Sequence, residues 1–157
     1  MLLRGRLSLT RSSRGVRLHI LHASTDEEIV QAFASITQLN VPAFTIATDP
    51  FLLTRREKIV ALAARYAVPG MYFFRDYPLA GGLMSYGTDL ADVYHQIGMY
   101  AARVLKGDKP ADLPIVQPTK FELLINLRTA KELGLTVPPT LLATADEVIA
   151  QKRERLQ

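Results

Sequence analysis

The chain has 157 residues, 48% of them hydrophobic and 22% charged, with 19 basic and 15 acidic side chains. That length fits one globular domain, and no apolar run approaches the roughly 20 residues of a membrane-spanning helix. Cysteine is absent, which excludes disulfides, thiolate metal sites and cysteine nucleophiles.

The net charge of +4 is unevenly spread. Arg4, Arg6, Arg11, Arg14 and Arg17 all precede the first acid, Asp26, and without them 14 basic residues face 15 acidic ones. A nucleic-acid groove needs cations spread over a folded face and interleaved with aromatics. Here the excess lies at one end, so no nucleic-acid partner is expected. Met1 to Gly15 holds no apolar core of the kind a secretory signal requires. Its Arg/Ser-rich, acid-free composition is shared with organelle transit peptides. The expectation adopted is a disordered start, or a start codon inside a longer gene.

Val16 to His22 alternates as a strand does. Thr25 and Glu28 then have capping-box spacing, with acids in the first turn. Ile29, Phe33 and Ile36 follow at helical spacing, and Asn40 is a stop signal. Ala43 to Ala47 is a second short strand, with Thr48-Asp49-Pro50-Phe51 as its exit loop. Thr54 and Glu57 make a second capping-box pattern, opening a helix with Ile59, Leu62, Ala63 and Tyr66 on one face. Val68-Pro69 ends that helix. Met71 to Phe74 is an apolar third strand. Strand–helix–strand–helix–strand with short connections predicts an α/β fold: a parallel sheet with helices on both faces. Ligands of such sheets lie beyond the carboxyl ends of the strands.

Ala80 to Gly87 (A-G-G-L-M-S-Y-G) comes next. Three glycines frame one hydroxyl and one phenol. Two readings fit: a place that holds a small ligand, or a Gly-rich turn that redirects the chain. The longest helix follows, about Asp89 to Lys106, with Leu90, Val93, Tyr94, Ile97, Val104 and Leu105 as its apolar stripe and Gly107 as its end. Asp108 to Pro118 is a Pro-rich connector. Phe121 to Ile125 is a fourth strand, and Asn126 caps a short helix ending at Gly134. Pro138-Pro139 opens a further short element. Thr144 and Glu147 have capping-box spacing before Val148 and Ile149. The charged end from Lys152 is expected to fray.

Catalytic and metal signatures are sparse. His19 and His22 point to opposite faces of a predicted strand, and His95 reads as a surface residue of the long helix. No phosphate-binding loop, nucleophile elbow or dinucleotide fingerprint is present. Asp49 and Asp76 as paired carboxylates compete with a simpler reading, a turn-forming Asp before proline and a solvated loop acid. No catalytic constellation, metal site or cofactor is implied.

Several segments, taken together, resemble one family. These are Ala80 to Gly87, Leu105-Lys106-Gly107, Lys109 to Pro114, Gln117 to Leu123, Ile125-Asn126-Leu127, Leu133-Gly134-Leu135 and Val137-Pro138. In order and spacing they look like the C-terminal part of ABC-transporter substrate-binding proteins of the tryptophan/tyrosine-binding type. The likeness covers about Leu18 to Ile149. It implies one lobe, the C-terminal one, of a type I periplasmic binding protein fold. It also implies capture of a small solute between two lobes, an ABC permease with its ATPase as partner, and a periplasmic or otherwise extracytoplasmic setting. Carried over by position, Gly81, Gly82, Ser85 and Tyr86 would line the cleft near the hinge, with Asp49 and Pro50 on a loop facing it. Members of the family run to roughly twice this length, as two lobes of ordinary domain size require, and begin with a signal that this chain does not show. The expectation is therefore a basic tail over 1–15, a lobe over 16–150 with hinge-crossing segments at about 82–126, and a charged tail over 151–157. Such a piece would expose an apolar face where the other lobe packs, and that face would be open to homodimerisation. The alternatives are a small doubly wound enzyme using Ser85 and Asp49, or a receiver-like regulatory domain.

Overall fold

The computed structural model describes residues 8–11 and 17–150. Two strands, β1 (Ser8–Arg11) and β2 (Arg17–Ile20), form an antiparallel pair. The main sheet is separate and has five strands: β3 (Phe44–Thr45), β4 (Gly70–Tyr72), β5 (Met84–Thr88), β6 (Phe121–Asn126) and β7 (Glu147–Ile149), in that order. Every pair is parallel except β5 with β6. The α/β class expected from the sequence is the one observed, with a mostly parallel sheet.

Four placements differ from the expectation. The Val16–His22 strand shortens to β2 and pairs with β1, outside the main sheet; Val16 lies outside the described residues. β1 itself falls within the segment expected to be disordered. The remainder of that 1–15 segment, like the 151–157 tail, lies outside the described residues. Met84 to Thr88, read as a ligand-holding segment, is the central strand of the sheet. Its sequence M-S-Y-G-T lacks an apolar run, so its strand character comes from pairing on both edges rather than from propensity. Glu147 to Ile149 is a strand beside β6, whereas the spacing of Thr144 and Glu147 suggested a helix start. The Thr144 hydroxyl instead donates back to the Leu141 carbonyl.

The helices follow their local signals closely. Helix α1 (Asp26–Gln38) is capped by Thr25, whose hydroxyl accepts from the Glu28 N–H at 3.2 Å, while the Glu28 carboxylate accepts from the Ser24 N–H. It ends where expected, with Asn40 at φ +49° and the Val41 N–H reaching the Ile36 carbonyl. Asp49 and Pro50 open a short helix, α2 (Pro50–Thr54), before α3 (Arg56–Arg65). Pro at the first helical position and Asp at the cap are together a start signal, and they displace the Thr54 cap expected from the sequence. Thr54 instead donates to the Phe51 carbonyl. Ile29, Phe33 and Ile36 of α1 and Ile59, Leu62 and Ala63 of α3 are buried together against Tyr72 and Tyr77. Full burial of each large apolar side chain stabilises by about 1.5–3 kcal/mol, so this cluster sets the lobe's stability.

Helix α4 (Asp76–Leu79) crosses from β4 to β5, and α5 (Leu90–Leu105) follows β5. A 3-10 turn at Pro110–Asp112 interrupts the connector back to β6. Helices α6 (Leu127–Glu132) and α7 (Pro139–Leu142) lead to β7. Helix α5 is capped by Asp89, read from the sequence as its first residue, which accepts from the Ala91 and Asp92 N–H groups. Yet none of its residues is buried, and Tyr94 and Ile97 are 68% and 57% exposed.

Candidate functional site

The glycine-rich stretch divides into two parts that do different things. Gly81 ends α4. It holds φ +107°, and the Gly82 N–H returns 2.8 Å to the Tyr77 carbonyl, closing the turn that caps a helix carboxyl end. A Cβ on Gly82 would lie 2.7 Å from the Tyr72 ring and 2.9 Å from the Tyr77 carbonyl oxygen. The turn is held from the far side of the sheet sequence. Asn126 donates through Nδ2 to the Pro78 carbonyl at 3.0 Å, and the Thr129 hydroxyl donates to the Gly81 carbonyl at 2.8 Å. The Asn126 carbonyl oxygen also accepts from the Thr129 N–H and caps α6. Gly81 and Gly82 precede β5, so they lie at its amino end. The sequence reading set them along the cleft near the hinge. They line a small recess of about 110 Å³ beside Ala63, Tyr72 and Leu133 instead.

Ser85 is in the interior. It is 1% exposed and its hydroxyl has no hydrogen-bond partner. Tyr86, on the opposite face of β5, is half exposed and stacks on Phe121 with ring centroids 5.7 Å apart. Gly87 is buried, and a Cβ there would sit 2.1 Å from the Phe73 carbonyl oxygen. Asp49 and Pro50 follow β3, so they are at the carboxyl end of the sheet, as the fold class requires of a cleft loop. Asp49 is committed locally: one carboxylate oxygen accepts from the Leu52 N–H at 3.1 Å. Thus Asp49, Pro50 and Tyr86 share the carboxyl half of the molecule, Ser85 is enclosed, and Gly81 and Gly82 lie at the other end.

The carboxyl end carries further groups that the sequence did not single out. Phe73 and Phe74 follow β4, edge to face at 5.2 Å. Arg75 follows them and binds Glu122 at 3.0 Å and Glu147 at 2.7 Å. Strands β6 and β7 run opposite to β5, so the starts of both meet the ends of β3, β4 and β5. That reversal gathers one arginine and two glutamates separated by 47 and 72 residues in sequence. Burial, partly offset by the Arg75 guanidinium, pushes the Glu122 carboxyl above its ordinary range.

Two chain crossings lie side by side at this end. The Asp89 N–H donates to the Lys120 carbonyl at 3.1 Å, and the Lys120 ammonium meets the Asp89 carboxylate. The Lys120 contact and the helix N–H groups hold the Asp89 carboxyl below its usual range, and Asp89 in turn raises Lys120. Beyond these crossings run α5 and the connector, tied to each other by the Tyr100 hydroxyl donating to the Pro114 carbonyl at 2.6 Å. Ile115 on the connector is 97% exposed.

The described residues bring no nucleophile to a base. Ser85 is enclosed, and His95 is exposed on α5. Asp26, the acid a receiver would present, sits in the first turn of α1 and is paired with Arg55 at 3.1 Å and Lys58 at 3.0 Å. The described residues contain no cluster of three or more His, Asp or Glu able to hold a metal ion. No helix among the described residues is long and apolar enough to cross a membrane.

This mixed α/β sheet with its helices matches part of a lobe of the periplasmic binding protein fold. The chain belongs to the ABC transporter substrate binding protein family, whose profile matches residues 6–149. No curated protein sequence matches it. Among solved structures it is similar to the ABC domain in complex with L-Trp from Streptococcus pneumonia, at 28% identity and TM-score 0.73, covering 81% of this chain and 44% of that one. A conserved domain protein from Vibrio cholerae O1 biovar El Tor has the same fold at 24% identity and TM-score 0.73, covering 80% and 42%. So does the ligand-free, open form of a substrate-binding protein with adhesive properties from Clostridium difficile, at 18% identity and TM-score 0.58, covering 82% and 43%. The chain therefore spans less than half the length of these structures.

Proposed function

We propose that this lobe is one wall of the solute site of an ABC importer's binding component, and that the solute is a small molecule, an aromatic amino acid first among candidates. The observation that carries this reading is the family match over 6–149. The relative solved with L-Trp and the exposed Tyr86–Phe121 stack support the aromatic choice, since aromatic faces offer both apolar area and stacking geometry. In this reading Tyr86 and Phe121 contact the solute, and Arg75 and the Asp49–Pro50 loop rim the cleft. Gly81, Gly82 and Ser85 act behind it, through the packing of β4, α4 and β5. Residues from about 82 to 126 include the hinge crossings, and the apolar faces of α5 and the connector pack on the other lobe. The complete protein works outside the cytoplasm, hands its solute to a permease driven by an ATPase, and turns nothing over.

The test is a thermal-shift panel of amino acids and small metabolites on two proteins. One is the 157-residue chain; the other is extended upstream through any in-frame first lobe. A ligand that binds only the native state raises Tm by mass action. The extended protein is expected to shift with an aromatic amino acid, and Tyr86→Ala to remove that shift. A shift with no solute in the extended protein, or turnover of any of them, sinks the proposal.

A further inference from the structure

The recess of about 110 Å³ lies at the amino end of β5, opposite the end where the solute is proposed to bind. Helix α3 lines it with Val60 and Ala63, helix α6 with Thr129, and the turn before β5 with Gly81 and Gly82. The start of β4 closes its buried side. There Tyr72 is only 2% exposed. A Cβ on Gly70, which also lines the recess, would lie 2.6 Å from the Tyr72 hydroxyl oxygen. The ring edge therefore rests against one lining glycine, Gly82, and the hydroxyl against another. Tyr77, stacked at 4.3 Å, and Phe44, edge to face at 5.7 Å, fix the ring in that position. Yet among the described residues nothing shares a hydrogen bond with the hydroxyl. Buried hydroxyls are ordinarily paired, because an unpaired one forfeits its bonds to water. Burial, with Tyr77 beside it, pushes its ionisation up, so the phenol stays protonated and remains a donor.

We infer that this recess is a second binding site, for a small neutral molecule with an apolar body and one oxygen that accepts from the Tyr72 hydroxyl. Size sets the body. One water takes about 30 Å³ of liquid, and a dry apolar cavity of about 150 Å³ holds benzene, so the recess suits about five or six non-hydrogen atoms. Water alone fits poorly, since a buried water needs two to four polar partners. The Thr129 hydroxyl is already given to the Gly81 carbonyl. An anion meets no partner either: among the described residues no Lys or Arg lines the recess. Glu132, on the exposed rim with Ala64 and Ala67, is already paired with Arg128 at 3.0 Å. Every lining residue falls between positions 60 and 133. The inference therefore asks nothing of any other part of the fold, and it stands whatever the solute is.

The test uses cyclopentanone as probe and cyclopentane, which lacks the oxygen, as control. Titrated into the 157-residue chain carrying 15N and methyl-13C labels, cyclopentanone is expected to give saturable shifts at the Gly82 amide and the Val60 and Ala63 methyls. The Tyr86 and Phe121 amides should stay in place. Tyr72→Phe strands no partner group and should weaken cyclopentanone by about fivefold, the worth of one hydrogen bond, with cyclopentane unchanged. Ala64→Leu, at the exposed rim of α3, suits a helix and should abolish the recess shifts by filling the mouth. Equal affinity of the parent and Tyr72→Phe overturns the inference, as do shifts that never saturate or that spread evenly over the surface. A long-lived water at the Tyr72 hydroxyl that cyclopentanone does not displace overturns it as well, because the site then holds water only. Should Tyr72→Phe fail to fold, Ala64→Leu decides: recess shifts that survive it sink the inference.

Discussion

Two regions of this molecule meet opposite fates. The turn between α4 and β5, with Asn126 and Thr129 across from it, is enclosed: Tyr77, Leu83, Ser85 and Asn126 are all buried. The arm made of α5 and the connector is open. Its stripe of Leu90, Val93, Tyr94 and Ile97 has helical spacing as regular as that of α1, yet none of its residues is fully buried. Periodicity marks a face that will be covered, without saying by what. For α1 the cover is α3 and the sheet. For α5 the described lobe covers Leu90 and Val93 only in part and leaves Tyr94 and Ile97 exposed, as expected if the cover belongs to another lobe.

That contrast can be broken or sharpened by substitution. The largest effect is expected at Gly87, where a methyl group would meet the Phe73 carbonyl oxygen at 2.1 Å. Gly87→Ala should cost about 3 kcal/mol, the upper end for overpacking, read as a fall in the urea midpoint. Asn126→Ala comes next. It strands the Pro78 carbonyl and uncaps α6, and should cost about 2 kcal/mol. On the open arm, Ile97→Glu should change the stability of the lobe by less than about 0.5 kcal/mol, as for surface positions away from special features. The same change should abolish stable docking to a separately supplied first lobe, measured by sedimentation. A loss of lobe stability as large as that of Asn126→Ala would show that α5 is part of this core after all.

The smallest effect is at Glu122 and depends on pH. Its carboxyl is raised in the folded state, chiefly by burial. A raised carboxyl favours the folded state while protonated, and that contribution is lost as pH rises through the folded value. Glu122→Gln, which stays neutral, should therefore be slightly more stable than the parent at neutral pH. The difference should vanish as pH falls below the ordinary carboxylate range. Parallel melting curves at both ends of that range would disprove the sign.

The sequence determined the local decisions. Thr25 and Asn126 cap the helices that their spacing predicts, and Asn40, Gly107 and Gly134 end helices where expected, because caps and stops depend on groups a few residues apart. The family marks were legible for the same reason, as short runs in fixed order. What the tertiary structure decided is where those runs meet. M-S-Y-G-T becomes the central strand only because β4 and β6 pair with it. Gly81 and Gly82 turn out to close a helix, held by Asn126 and Thr129 from more than 40 residues away in the chain. Arg75 finds Glu122 and Glu147 only because β6 and β7 reverse direction. Backbone pairing and charge contacts between distant segments leave no periodic trace in a single sequence, whereas a cap or a helical stripe does.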